Sequence, residues 1–282
     1  MNKVAIVTDS TAYLPQEYLD AYGISVVPLT LNWDGASYRD GIDMKPDEFY
    51  TRLAKSDTLP TTSQSTVGDY SEVFAKLIAE KHDVLALPIS SGISGSVNSA
   101  IQAAKLYPQA KIEVLDTRLV SMALGFQVLA AARAAADGAT LEECAKIAKQ
   151  AYNHIGVYFV VDTLKYLHAG GRIGGAKRFM GTALRIKPVL EIRDGKIEAV
   201  KSVITMNKAI EAMIELVEKD IAGKRPVHVS VFHALAEEQA VKLLENIKQR
   251  FGADEAILSY VSPVVGSHVG PGTLSIAYMA GM

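Results

Sequence analysis

Short apolar runs alternate with helix-like periods of apolar residues through the first half of the chain. The runs Lys3–Val7, Asp83–Ile89 and Lys111–Leu115 predict buried strands, because each is short, apolar and followed by turn residues. Between them, apolar residues recur at helical spacing, as in the predicted helix Val67–Lys81. Further predictions in this half are a strand at Ile24–Leu31 and helices at Pro15–Tyr22, Phe49–Leu53, Val97–Leu106, Leu119–Ala136 and Leu141–Tyr152. This alternation is typical of a mainly parallel α/β sheet.

The pattern changes near Tyr152–Gly156, where hairpin signals appear. Asp194-Gly195 separates Val189–Arg193 from Lys196–Val200, and Asp-Gly suits the two φ > 0 positions of a type I′ turn. The other elements predicted here are strands at Gly156–Val161, Val227–Phe232 and Ala256–Val261, helices at Thr163–His168 and Glu237–Phe251, and a helix capped by Asn207 that ends at Ile221. We therefore predict a two-domain α/β protein. Residues 1–153 form a mainly parallel three-layer domain, and residues 154–282 form an α+β domain with a mixed or antiparallel sheet.

Composition narrows the class of protein. The chain has 282 residues, of which 49% are hydrophobic, enough for two cores. A net charge of −2 provides no basic footprint for nucleic acid. The single cysteine, Cys144, excludes an internal disulfide, and the six histidines lack metal-binding spacing. The first apolar run is too short for a secretory signal, and Gln127 and Arg133 interrupt Leu119–Ala136, so we expect a cytoplasmic protein.

Candidate chemistry lies in four segments rich in small hydroxyls and glycines. They are Thr8–Thr11, Thr61–Gln64, Ser90–Ser96 and Gly266–Gly272. In open α/β sheets, ligands bind beyond the carboxyl ends of the strands, where at least the first and third segments lie. The third segment also opens a helix, so its N–H and hydroxyl groups can converge on an anion. We predict an anion or polar-headgroup site there, although capping of the helix would explain Ser94 or Ser96 alone.

Other sites fit the sequence less well. It contains no G-x-x-x-x-G-K-[ST] phosphate loop, and Gly170–Gly175 follows a helix, unlike the dinucleotide fingerprint. We interpret Gly170–Gly175 as a turn between two helices, in which Arg172 can pair with a carboxylate. Ser94, Asp116 and His268 follow the chain order of α/β-hydrolases, but the G-x-S-x-G elbow is incomplete. A Ser94-dependent lipid or ester hydrolase remains the alternative, beside a module that binds another small anion.

Taken in order, the motifs resemble the DegV family of bacterial fatty-acid-binding proteins. The resemblance covers nearly the whole chain. It rests on Val7–Thr11 with Leu14-Pro15, Pro60–Gln64, Ile89–Ser96, Asp116-Thr117, Thr163–Leu167 with Gly171–Ile173, Ile186–Leu190, Asp194–Lys196 and His268–Gly272.

The resemblance implies a carrier rather than an enzyme. It would enclose one long-chain fatty acid, such as a C16–C18 acid, between its two domains, without a metal or cofactor. Thr62 and Ser94 would hold the carboxylate, with Thr61 and Ser63 alongside. The resemblance also implies a supporting polar network around the headgroup, made of Arg172, His268, Ser91 and Gly92.

The family also suggests a partner. Its members present the bound acid to a separate kinase subunit, and the resulting acyl phosphate feeds phospholipid synthesis. This expectation leaves room for a peripheral or transient membrane contact. Three positions depart from the family pattern. Ser65 replaces a frequent proline, Gly95–Val97 replaces Gly-Thr-Tyr, and Ile204 stands where relatives often carry a kinase-facing arginine.

Overall fold

The computed structural model describes residues 2–180 and 186–282. The strands of the first half are β1 Val4–Asp9, β2 Ser25–Val27, β3 Thr30–Trp33, β4 Ala36–Arg39, β5 Thr61–Ser63, β6 Asp83–Leu87 and β7 Ile112–Val114. The helices of this half are α1 Gln16–Tyr22, α2 Pro46–Leu53, α3 Val67–Ala79, α4 Ser96–Lys105, α5 Ser121–Ala136 and α6 Leu141–Ala151.

The second half continues the order. Its strands are β8 Ile155–Val160, β9 Lys187–Arg193, β10 Lys196–Val203, β11 Val227–His233, β12 Glu255–Tyr260 and β13 Leu274–Ala280. Its helices are α7 Lys165–Ala169, α8 Met206–Ile221, α9 Glu237–Phe251 and α10 Pro263–Val269. Short 3-10 helices occupy Ser10–Ala12, Tyr152–His154 and Gly174–Phe179.

The first half contains a parallel sheet with strand order β2-β1-β6-β7. The predicted parallel α/β arrangement is confirmed. The chain moves from β1 to one side and later returns to the other, so a crevice opens between the carboxyl ends of β1 and β6. Asp9 bridges these ends, because its carboxylate accepts hydrogen bonds from the backbone N–H groups of Thr11 and Ile89. Asp9 therefore links the segment that follows β1 to the segment that follows β6.

The second half contains a mixed six-stranded sheet with order β10-β9-β8-β13-β11-β12. The predicted mixed sheet and the β9–β10 hairpin are confirmed, with Asp194 and Gly195 both at positive φ in the turn. Side chains alternate between the two faces of the sheet. Tyr158 and Val160 of β8 belong to a core with α8 and α9, whereas Phe159 faces the opposite side, toward the first half.

Helix α5 packs between the two sheets, against β1 on one side and β8 and β13 on the other. One hydrophobic cluster therefore extends through both halves of the chain. The four-stranded sheet ends before residue 115, and the six-stranded sheet begins at residue 155. The division into domains at residues 153 and 154 stays a prediction.

Two local predictions were wrong. Ile24–Leu31 is not one strand, because Pro28 lacks an N–H group and separates β2 from β3, which joins β4 and β5 in a small antiparallel sheet. Helix α8 is capped by Thr205 rather than Asn207, since the Thr205 side chain accepts from Lys208 N. The Gly266–Gly272 segment, which received no predicted helix or strand, begins inside α10, and Ser262 caps this helix.

Asp40 ties the first half to α10. Its carboxylate accepts a 2.7 Å hydrogen bond from the Ser10 hydroxyl and a 3.2 Å bond from Val264 N. The side chain is fully buried, and this burial raises the pKa of Asp40 to about 7. The contact lies at the start of α10, so the position of that helix depends on a buried carboxyl group from the other half.

We predict that Asp40 destabilises the fold as the pH rises from about 4 to about 7. Its folded pKa exceeds the unfolded value of 3.8, so the free energy of unfolding falls over this window. The Asp40→Asn variant should therefore gain stability relative to wild type, by on the order of 3 kcal/mol between these limits. Urea denaturation at several pH values measures the difference. A difference that does not change with pH would contradict the prediction.

Candidate functional site

A cavity of about 360 Å³ lies beyond the carboxyl end of β6, between the two halves of the chain. This volume falls within the range of small-molecule sites. Most of its wall is apolar. The apolar lining consists of Leu29, Ile89, Ile93, Val120, Val157, Phe159, Leu167, Ile192, Ile197, Phe232, Val261, Val264, Val265 and Val269. The cavity is therefore suited to an apolar ligand of limited size.

Polar groups gather where the cavity meets solvent. Thr62, Ser63 and Gln64 come from β5 and the residue after it, and Ser94 comes from the turn before α4. Gln64 lies across this turn and donates a 2.9 Å hydrogen bond to the Ser99 hydroxyl. A methyl group on Gly95 would come within 1.9 Å of the Gln64 amide oxygen, so glycine is required for this close packing. The two hydroxyl-rich segments are thus held side by side.

Thr62 and His268 are joined across the cavity rim, although 206 residues separate them in the chain. The Thr62 hydroxyl lies 2.8 Å from His268 Nε2. Burial, with a smaller contribution from the nearby Arg172 charge, lowers the pKa of His268 to about 4. The imidazole is therefore neutral at pH 7. Gly170 backs the ring, since a methyl group there would lie 2.1 Å from Nδ1.

Arg172 is exposed and lines the cavity beside these groups. Its Nε donates to the Ile93 carbonyl at 3.2 Å, and an Nη donates to the Gly170 carbonyl at 2.8 Å. Both bonds are to backbone oxygens, so Arg172 is positioned by the chain and keeps further N–H groups for a ligand. The structure shows no hydrogen bond from Arg172 to a carboxylate of the described residues.

Ser94 lines the cavity and also belongs to the local structure that opens α4. Its hydroxyl lies 3.0 Å from the Ser96 hydroxyl and accepts a 3.3 Å hydrogen bond from Ser96 N. The capping interpretation and the site interpretation therefore apply to the same residue. A hydroxyl has two acceptor positions and one donor, so these contacts leave Ser94 able to donate to a ligand.

Three other residues of the predicted site do not line the cavity. Thr61 is exposed on β5. The Ser91 hydroxyl and backbone N–H both donate to Asp116. A methyl group on Gly92 would come within 2.5 Å of the Gly195 carbonyl oxygen. These residues support the segments that present Thr62 and Ser94, and their assignment to the site stays a prediction.

The β9–β10 hairpin supports the same turn from the second half. The Ser90 hydroxyl donates a 2.8 Å hydrogen bond to the Gly195 carbonyl, and Arg118 forms a 2.5 Å ion pair with Asp194. Ile192 and Ile197 of the hairpin line the cavity. The hairpin therefore forms part of the apolar wall and also packs behind the turn at Ser90–Ser96.

The hydrogen bonds of a hydrolase triad do not form among these residues. Asp116 accepts from Ser91 and from Arg118 N, and His268 Nε2 contacts Thr62. In the described part of the chain, His268 Nδ1 is buried without a partner. A triad needs the imidazole between the nucleophile and the carboxylate, with a hydrogen bond to each. Here Asp116 and His268 do not bond to each other, and His268 contacts Thr62 instead of Ser94.

Sequence analysis did not single out three further hydroxyls in the cavity wall, those of Ser121, Thr273 and Ser275, of which Thr273 already donates to the carbonyls of Val269 and Gly270. Ser121 is the first residue of α5, and Ser275 lies within β13. Ser121 follows an apolar residue and Ser275 interrupts an apolar run. The available signal was thus a single serine in each case, which is also common in ordinary protein cores.

Residues 2–180 and 186–282 contain neither a candidate membrane span nor a candidate metal site. None of the helices in these ranges has the length and apolar character that crossing a bilayer requires. His, Cys, Asp and Glu residues there do not form a group of three or more able to hold a metal ion.

Known proteins share this fold over its full length. Residues 3–281 match the DegV family model, described as "Uncharacterised protein, DegV family". A DegV domain-containing protein of Clostridium perfringens is 35% identical over 279 residues, or 98% of each chain. A DegV family protein of Thermus thermophilus, described for its fatty acid binding, superposes with a TM-score of 0.91 at 32% identity, over 99% of each chain. A stearic acid-binding protein of Eubacterium ventriosum gives a TM-score of 0.92 at 28% identity, over 99% of this chain and 98% of its own.

We predict that His268 stays neutral well below pH 6. Because its folded pKa of about 4 lies below the unfolded value of 6.5, protonation favours the unfolded chain. His268 should therefore reduce the free energy of unfolding as the pH falls from about 6.5 to about 4. NMR titration of the imidazole measures the pKa directly. A His268 titration near pH 6.5 would refute this prediction.

Proposed function

The chain belongs to the DegV family, and we propose that it binds a long-chain fatty acid, such as a C16–C18 acid, in the cavity between its halves. The observation that carries this proposal is the pairing of an apolar cavity with a cluster of hydroxyl, imidazole and guanidinium groups at its rim. The acyl chain would fill the apolar part. The carboxylate would bind at Thr62 and Ser94, with Ser63 and Arg172 beside it.

The energetics favour this arrangement. A buried methylene contributes about 0.8 kcal/mol, so about 14 methylenes provide roughly 11 kcal/mol before the costs of binding. A buried carboxylate must be hydrogen-bonded, because leaving it unpaired would cancel much of this gain. Thr62, Ser63 and Ser94 supply hydroxyl donors, and Arg172 adds a positive charge at the exposed rim.

We further propose that the protein is a carrier in the cytoplasm that presents the acid to a kinase subunit, which converts it to an acyl phosphate for phospholipid synthesis. Neutral hydroxyls suit this task, because they can bind either a carboxylate or an acyl phosphate without holding it as strongly as paired cations would. Ile204 is 70% exposed at the end of β10. Docking of the kinase would have to tolerate this apolar side chain where the family resemblance implies an arginine.

Mass spectrometry of a solvent extract tests the proposal. The purified protein should release about one equivalent of a long-chain fatty acid and should not hydrolyse fatty acyl esters. An empty protein that turns over esters and loses this activity in the Ser94→Ala variant would overturn the carrier function in favour of a hydrolase.

We predict that Ser94→Ala and Thr62→Ala each weaken fatty acid binding by about tenfold or more. Each removes a hydrogen bond to a charged group, which is worth about 1.5–3 kcal/mol. Titration with a fluorescent fatty acid measures the dissociation constants. The control is Ser71→Ala on α3, whose hydroxyl contacts Tyr107 away from the cavity. Unchanged affinity in both site variants would rule out this headgroup site.

A further inference from the structure

The apolar interior of the cavity contains two hydroxyl groups that the headgroup site does not use. Ser121 is 3% exposed and Ser275 is 1% exposed, and both residues line the cavity. Neither hydroxyl bonds to a group within residues 2–180 and 186–282, and neither oxygen is among the unpartnered atoms sealed from solvent there, so both open into the cavity. A buried hydroxyl normally has a partner, because its loss of hydration is otherwise uncompensated. These two groups therefore point to a ligand atom that can bond with them.

Ser275 lies in the middle of an apolar wall. On β13 it is directly opposite Phe159 of β8 on one side and Phe232 of β11 on the other. Both phenylalanines also line the cavity. Residues opposite each other on neighbouring strands project from the same face of the sheet. The Ser275 hydroxyl is thus placed between two aromatic rings, where an unsubstituted acyl chain would offer it no partner.

Ser121 begins α5, a helix of 16 residues. Its N-cap, Val120, provides no side-chain hydrogen bond, and the first turn contains no acidic residue. The first N–H groups of a helix lack partners within the helix, and its N-terminus carries a partial positive charge. Val120 and Ser121 both line the cavity, and α5 packs against the strand that carries Ser275. This helix start therefore offers donors to an oxygen atom in the cavity.

The two hydroxyls are separate from the headgroup site. Ser63, Gln64 and Arg172 are exposed at the rim, whereas Ser121 and Ser275 are buried. A carboxylate bound at the rim would leave both inner hydroxyls to contact the acyl chain. An oxygen carried by the chain itself would satisfy them, since a hydroxyl can donate to Ser275 and accept from Ser121 or the helix N–H groups.

We infer that Ser121, Ser275 and the start of α5 form a second polar subsite that selects fatty acids bearing an oxygen on the acyl chain, namely hydroxy or oxo acids. This inference rests on the proposed function, since it concerns the acyl chain of the same fatty acid. It makes the protein a carrier with a preference for oxygenated acyl chains over saturated hydrocarbon chains of equal length.

The test compares stearic acid with a set of monohydroxystearic acids that differ only in the position of the hydroxyl. At least one isomer should bind wild-type protein several-fold to about tenfold more tightly than stearic acid, as expected for one or two neutral hydrogen bonds. In the double variant Ser121→Ala/Ser275→Ala, this preference should disappear while stearic acid still binds. The matched control is Ser230→Ala, because Ser230 is a buried, unpartnered serine of β11 outside the cavity lining.

The outcomes separate the two proposals. If no isomer exceeds stearic acid, or if the preference survives the double variant, the second subsite is refuted while fatty acid binding stands. If the double variant loses stearic acid as strongly as Ser94→Ala does, the inner hydroxyls bind the carboxylate, and the inference is also refuted. If neither stearic acid nor any isomer binds wild-type protein, the proposed function itself fails.

Discussion

The contact between Thr62 and His268 is the interaction on which the candidate site depends. Thr62 belongs to a small sheet in the first half, and His268 belongs to a short helix in the second half. A hydrogen bond requires the two atoms to approach within about 3 Å, so the polar rim exists only when the halves are packed together. The Tyr50 hydroxyl, from the first half, donates to the Val261 carbonyl just before α10. This bond also holds the start of α10 against the first half. The cavity is therefore a property of the packed pair of halves.

Neutral groups dominate the polar rim, and this determines how it treats an anion. His268 is uncharged at pH 7, and the nearby hydroxyls carry no charge. Arg172 contributes a positive charge, but its exposure lets solvent and salt screen it. A carboxylate would be held mainly by oriented dipoles rather than by a buried ion pair. Such a site can accept a headgroup that changes during transfer, because it is not matched to one charge state.

The sequence predicted the alternation of strands and helices, the hairpin at Asp194-Gly195 and the hydroxyl-rich segments that meet at the rim. It did not predict where glycine is required for close packing between distant residues. The segment that contains Gly266 and Gly270 received no predicted element, yet Gly266 lies within α10. A methyl group on Gly266 would lie 2.4 Å from the Tyr50 hydroxyl oxygen, and one on Gly270 would lie 2.3 Å from the Tyr166 ring. These glycines let two tyrosines pack against α10 and its end. That requirement arises from distant residues, so local pattern could not reveal it.

Cavity-lining residues are harder to predict for a related reason. Phe159 faces the cavity and Val160 faces the second core, yet both are apolar neighbours on one strand. Alternation separates the two faces, but only the placement of β13 and α5 decides which face borders empty space. A serine within an apolar strand is a partial signal. Ser275 lines the cavity whereas Ser230, on the next strand, does not. The sequence can therefore mark an unusual polar position, and the packing of several elements decides whether a ligand can reach it.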